Sequence, residues 1–87
     1  MTKIEKFIVD NDLDFESTDS GLNANCVVLA GYALHLGIDD FESELLPEVE
    51  GLNNDALLEL ERVFNYARLN NYGAWWDSPM ARKMYTF

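Results

Sequence analysis

Residues 23–36 read Asn-Ala-Asn-Cys-Val-Val-Leu-Ala-Gly-Tyr-Ala-Leu-His-Leu, without one Asp, Glu, Lys or Arg, and Gly37 follows. Wound into a helix, this segment is apolar nearly all round, and such a helix needs neighbours covering it on several sides. Val27-Val28-Leu29 alone would suit a strand, but the length and the Ala and Leu content favour helix. Ser20 or Asn23 is the expected N-cap, and Gly37 the C′ residue that ends the helix. Ala30, Gly31 and Ala33 would let another helix approach closely. The rest of the chain must therefore wrap this element.

On either side of it the chain is acidic. Between residues 7 and 61 there is no Lys or Arg, yet there are fourteen carboxylates: Asp10, Asp12, Asp14, Glu16, Asp19, Asp39, Asp40, Glu42, Glu44, Glu48, Glu50, Asp55, Glu59 and Glu61. Lys3, Lys6, Arg62, Arg68, Arg82 and Lys83 all lie outside, and the chain carries a net charge of −10. The acids form two groups, 10–19 and 39–61, with the uncharged helix between them. Such segregation costs stability through self-repulsion. Its bland explanation is solubility; its sharper one is a partner with a basic surface.

Eighty-seven residues make one domain, spanning 1–87. A chain of this size buries somewhat more than ~60% of its unfolded surface and folds with a modest margin. Its apolar content of 48% argues against disorder. A lone cysteine, Cys26, excludes an internal disulfide framework and fits a reducing compartment. Residues 1–20 lack the apolar core of a signal peptide, and the apolar run 26–34 is about half of what a bilayer span needs. The expected location is cytoplasmic. A pI near 4.2 disfavours direct contact with nucleic acid or an anionic membrane.

Thr2-Lys3-Ile4-Glu5 has the form of a capping box, and Ile4, Phe7 and Ile8 follow at helical spacing, so a first helix is expected to about Asn11. Residues 10–16 then alternate charged and uncharged side chains. In an extended conformation Asp10, Asp12, Asp14 and Glu16 would form one solvent-facing row, with Leu13 and Phe15 turned to the core. Asp39 or Asp40 should cap a short helix through Leu46, with Phe41, Leu45 and Leu46 inward. Pro47 and Gly51 are expected to bound the connection after it. Asn53 or Asn54 caps the clearest helix, from Asp55 to about Asn70, with an inward stripe of Ala56, Leu57, Leu60, Val63, Phe64 and Ala67. Leu58, Tyr66 and Leu69 lie on its back, where the C-terminal segment is the expected cover. Asp77 or Ser78 with Pro79 signals one more short helix. The fold class is all-α: a compact single-domain bundle of four to five short helices, with a short extended segment near 12–16 as an option.

No catalytic motif emerges, and a non-enzymatic role without a cofactor is expected. Asp10, Asp12 and Asp14 match the first three ligand positions of an EF-hand loop, but Phe15 stands where that loop needs Gly and Gly21 where it needs the bidentate Glu. No metal site is expected. Paired carboxylates at work in acid–base catalysis need a raised pKa from burial, and these sit at positions that read as exposed. His35 and Cys26, nine positions apart, are half a turn out of phase on a helix and cannot meet. Trp75 and Trp76 with Arg68, Arg82 and Lys83 could be read as a base-stacking platform, but the overall charge works against that. Core packing for one Trp and a surface role for the other is the commoner outcome, and an exposed Trp beside Arg would make a protein-interface hot spot.

In size, acidity and lack of catalytic motifs the chain resembles small inhibitors carried by phages and mobile elements, namely anti-CRISPR and DNA-mimic antirestriction proteins. That resemblance, drawn from composition and length, implies carboxylates standing in for phosphates on the basic groove of a nucleic-acid-binding target. Trp75-Trp76-Asp77-Ser78-Pro79 is also similar to the aromatic pair and Asp-Ser-Pro of colicin-nuclease immunity proteins; the segment that separates those features there is missing here. The expected function is therefore inhibition or binding of a basic protein, a nucleic-acid-binding defence complex of the host. The expected contact residues are Asp10, Asp12, Asp14 and Glu16 as one anionic row, Asp39, Asp40, Glu42, Glu44, Glu48 and Glu50 as a second, and Trp75 and Trp76. The alternatives are an adaptor that binds through the aromatic C-terminal region, and a small calcium-binding domain.

Overall fold

The computed structural model describes residues 2–16 and 20–70, and these form an all-α arrangement with no strand among them. Four α-helices follow in order: α1 (Lys3–Asp10), α2 (Ser20–His35), α3 (Leu46–Val49) and α4 (Asn54–Leu69), with a π-helical turn (Phe41–Leu45) leading into α3. The segment 71–87, with the expected last helix and both tryptophans, lies outside the described residues.

The local signals at the chain's start act as their chemistry requires. The Thr2 hydroxyl accepts from the Glu5 amide at 3.1 Å, and the Glu5 carboxylate accepts from the Thr2 amide at 3.3 Å, closing the capping box of α1. Ile4 and Phe7 are buried, and Phe7 stacks face to face on Tyr32 of α2 with ring centroids 4.0 Å apart. The segment after α1 forms a loop. Phe15 is buried and Leu13 packs against the core, both inward as expected.

Helix α2 begins at Ser20 and takes in Asn23, so Asn23 does not cap it. Its side-chain amide instead donates to Glu59 at 2.7 Å, and that of Asn25 donates to the Asp14 carbonyl at 2.7 Å. Gly37 ends α2 at φ +92°, with its own amide bonded to the Leu34 carbonyl and the Ile38 amide to the Ala33 carbonyl. That is the Schellman arrangement, and only a residue without Cβ enters it cheaply.

The connection at Pro47 departs from expectation. Pro47 does not close the short helix but sits in the first turn of α3, which runs on to Val49. An α-helical turn there would ask Pro47 for an amide hydrogen it lacks and press its ring on the Ser43 carbonyl. The backbone widens by one residue instead, and the Leu46 amide bonds to the Phe41 carbonyl, five residues back.

Asn53 caps α4 through the Ala56 amide at 2.8 Å. Its expected stripe is buried at Ala56, Leu60, Val63, Phe64 and Ala67, with Leu57 half-buried. Helices α2 and α4 form the principal packing pair, with Cys26, Leu29, Ala30 and Ala33 of α2 fully buried. Each large side chain so buried contributes about 1.5–3 kcal/mol. On the back of α4, Leu58, Tyr66 and Leu69 are 67%, 57% and 80% exposed.

Candidate anionic binding surface

The placement of the acidic groups follows from how α2 and α4 run. Asn23, near the start of α2, meets Glu59, and Cys26 one turn later lies within the electrostatic reach of Glu59 and Arg62. Beyond the far end of α2, Asp40 feels Arg68 in the last turn of α4. The two helices therefore run in the same direction, and the π turn with α3 carries the chain back between their ends. Phe41 accordingly lies near Phe64, with ring centroids 6.1 Å apart, while Leu46 lines one groove with Asn54 and Leu57.

This geometry separates the acids of residues 14–16 from those of residues 39–40. Asn25 holds the Asp14 carbonyl at the start of α2, and the Asn53 amide at the start of α4 lies 3.4 Å from both the Phe15 carbonyl and a Glu16 carboxylate oxygen. Asp14 and Glu16 thus sit at the pole where α2 and α4 begin. Asp39 and Asp40 sit at the opposite pole, a sixteen-residue helix away, or about 24 Å at 1.5 Å per residue. Glu50, three residues before Asn53, returns to the first pole, and Asp55 stands in the first turn of α4. Carboxylates at that pole face the positive ends of two helices, which offsets part of their mutual repulsion.

The expected first row is accordingly shorter than four. Asp10 belongs to α1 and is ion-paired with Lys6 one turn back, so it does not continue an extended row. Asp12 is exposed in the left-handed region at φ +51°. Asp14 accepts from the Glu16 amide at 2.9 Å, which turns the backbone and aims Phe15 at the core.

The second row is not a row of idle charges. Asp40 caps the π turn, its carboxylate accepting from the Ser43 amide at 2.9 Å and the Ser43 hydroxyl at 2.6 Å. Those bonds, the hydroxyl's first, hold its pKa below the usual carboxylate value. Glu44 folds back to accept from the amides of Asp39 and Asp40 at 3.0 and 3.1 Å, which lowers its pKa likewise. Glu42 and Glu50 are exposed and Glu48 half-buried.

Other polar groups serve the packing. Arg62 grips Glu59 through two bonds of 2.8 and 3.0 Å, and together with Asn23 it lowers the Glu59 pKa. Burial pushes the Cys26 thiol up to about 12, with Glu59 adding to the shift and Arg62 opposing it. A thiol held neutral in this way is a core residue rather than a nucleophile. His35 is half-buried near Tyr32, with ring centroids 6.3 Å apart. Among the described residues no charged side chain is buried, and no three His, Cys, Asp or Glu side chains converge as metal ligands would. No described helix is long and apolar enough to cross a membrane.

One feature escaped the sequence. A shallow groove of about 570 Å³ lies between the π turn with α3 and the first half of α4, lined by Phe41, Leu46, Leu57 and Leu58 and flanked by Glu42 and Glu61. Leu58 on the outer side of α4 was its one available signal. Searches against protein-family models, curated proteins and solved structures return no match for the chain.

Proposed function

We propose that this protein is a non-enzymatic binding protein that occupies a basic, nucleic-acid-binding surface on a partner protein and thereby blocks it. The observation that carries the reading is the charge layout. Residues 7–61 contain fourteen carboxylates and no cation, and every described charged group lies at the surface. The pole that gathers Asp14, Glu16, Glu50 and Asp55 is its best contact region, supplemented by Asp12. There each carboxylate can meet a partner Lys or, in bidentate geometry, an Arg. Asp39, Asp40 and Glu44 contribute to the field but are held in place by their own turn. Long-range steering speeds association and fades with salt.

The test begins with capture from a host-cell lysate and identification of the bound protein by mass spectrometry. The purified partner is then titrated between about 50 and about 500 mM salt, with and without competing nucleic acid. A basic partner, an affinity that falls at least about tenfold over that range, and displacement by nucleic acid are expected. A partner whose affinity is indifferent to both salt and nucleic acid excludes the reading.

A further inference from the structure

The groove beside α4 joins two properties that the anionic surface alone does not have. Its floor is apolar, with Leu58 67% exposed and Leu46 and Leu57 only half-buried. Its flanks carry Glu42 and Glu61, one from each wall. The π turn puts Phe41 and Glu42 on one wall, and successive turns of α4 put Leu57, Leu58 and Glu61 on the other.

An occupant must bury apolar side chains on the floor and bring positive charge to the flanks. Among external occupants, a second copy of the chain fails the second condition, because two molecules of net charge −10 repel one another. A neutral apolar segment would leave both carboxylates partly desolvated without a partner. We infer that this groove anchors a basic amphipathic segment of a partner protein, its apolar face seated on Leu57 and Leu58 and its Lys or Arg side chains paired with Glu42 and Glu61. Recognition of this kind uses apolar anchors at helical spacing for affinity and the flanking charge pairs for orientation. The inference deepens the function proposed above and rests on it for the sign of the partner's charge.

A synthetic amphipathic peptide of about 18 residues provides the probe, with Leu at i, i+3, i+4 and i+7 on one face and Lys on the other. Its counter-probe replaces each Lys with Glu. Amide chemical-shift mapping should place the Lys peptide at Glu42, Leu46, Leu57, Leu58 and Glu61. Leu58→Asp should weaken it at least about tenfold, and Glu42→Gln with Glu61→Gln should weaken it and flatten its salt dependence. Leu58 is exposed, so the variant's unchanged circular dichroism and Tm serve as the folding control. Equal affinity for wild type and Leu58→Asp overturns the inference, as does equal binding of the Glu peptide or a groove-dependent dimer in sedimentation. Salt-dependent binding that ignores Leu58→Asp removes the groove and leaves the anionic-surface reading standing. Sensitivity to Leu58→Asp without salt dependence removes the charge reading and keeps the groove.

Discussion

The two acidic segments look alike as strings of letters and differ in what their carboxylates do. In residues 39–44 two of the four carboxylates are committed to the backbone, since Asp40 caps a turn and Glu44 holds two amides behind it. In residues 12–16 the fold is secured chiefly by other groups. Phe15 plugs into the core, and Asn25 and Asn53 hold the backbone carbonyls on either side of it. Of the three carboxylates, Asp14 accepts from the Glu16 amide at 2.9 Å and Glu16 accepts from the Asn53 side chain at 3.4 Å. Acidity in the first segment is thus more available to a partner than acidity in the second, although both are exposed.

The largest expected effect falls on the apolar anchor. Phe15→Ala should cost about 3 kcal/mol or more in urea unfolding, because it empties a site at the core's edge. A cost below about 1 kcal/mol would mean that the loop is held by its polar bonds instead. Asn53→Ala should cost about 1 kcal/mol through loss of the α4 cap, a Tm drop of roughly 4–8 °C for a domain of this size.

In the second segment, Asp40→Ala should lower Tm while Asp40→Asn, which keeps an acceptor oxygen, should lower it less; equal losses would assign the effect to charge rather than to the cap. The same bonds set an acid dependence. Asp40 and Glu44 have folded pKa values below their ordinary 3.8 and 4.5. Their stabilisation is therefore present above those ordinary values and is lost as pH falls through the lowered ones. The Tm difference between wild type and Asp40→Ala should shrink over that acid window, and a difference that persists below it would contradict the assignment.

The smallest effect belongs to Asp12. Asp12→Asn should leave Tm unchanged or raise it slightly, since Asn tolerates the left-handed backbone and one repelling charge is removed. A clear loss would show that this carboxylate, too, is part of the fold.

Much of this was legible in the chain because the signals were local. The capping box at Thr2, the Asn53 cap, the α4 stripe and Gly37 after α2 each depend on a few neighbouring residues, and each is found where its chemistry puts it. The departures come from longer reach. Pro47 broke no helix because the preceding turn could widen, and the widened turn packs Phe41 near Phe64 of α4. Glu44 stands one place beyond the N3 position of a capping box, where Ser43 sits, yet the widened turn lets it do the same service. The parallel course of α2 and α4, which sends residues 14–16 and 39–40 to opposite poles, is a property of packing that no spacing of residues reveals. The exposed groove likewise needs both of its walls before it exists.

The account rests on the claim that the carboxylates of residues 12–16 bind and that Asp40 and Glu44 mainly fold. The direct measurement is the partner's affinity as a function of salt for wild type, for Asp12→Asn/Asp14→Asn/Glu16→Gln, and for Asp40→Asn/Glu44→Gln. The first variant should lose at least about tenfold in affinity at low salt and show a shallower salt slope, whereas the second should bind within about threefold of wild type yet melt at a lower temperature. Superimposable binding curves for wild type and the first variant, or a larger binding loss in the second, would contradict it.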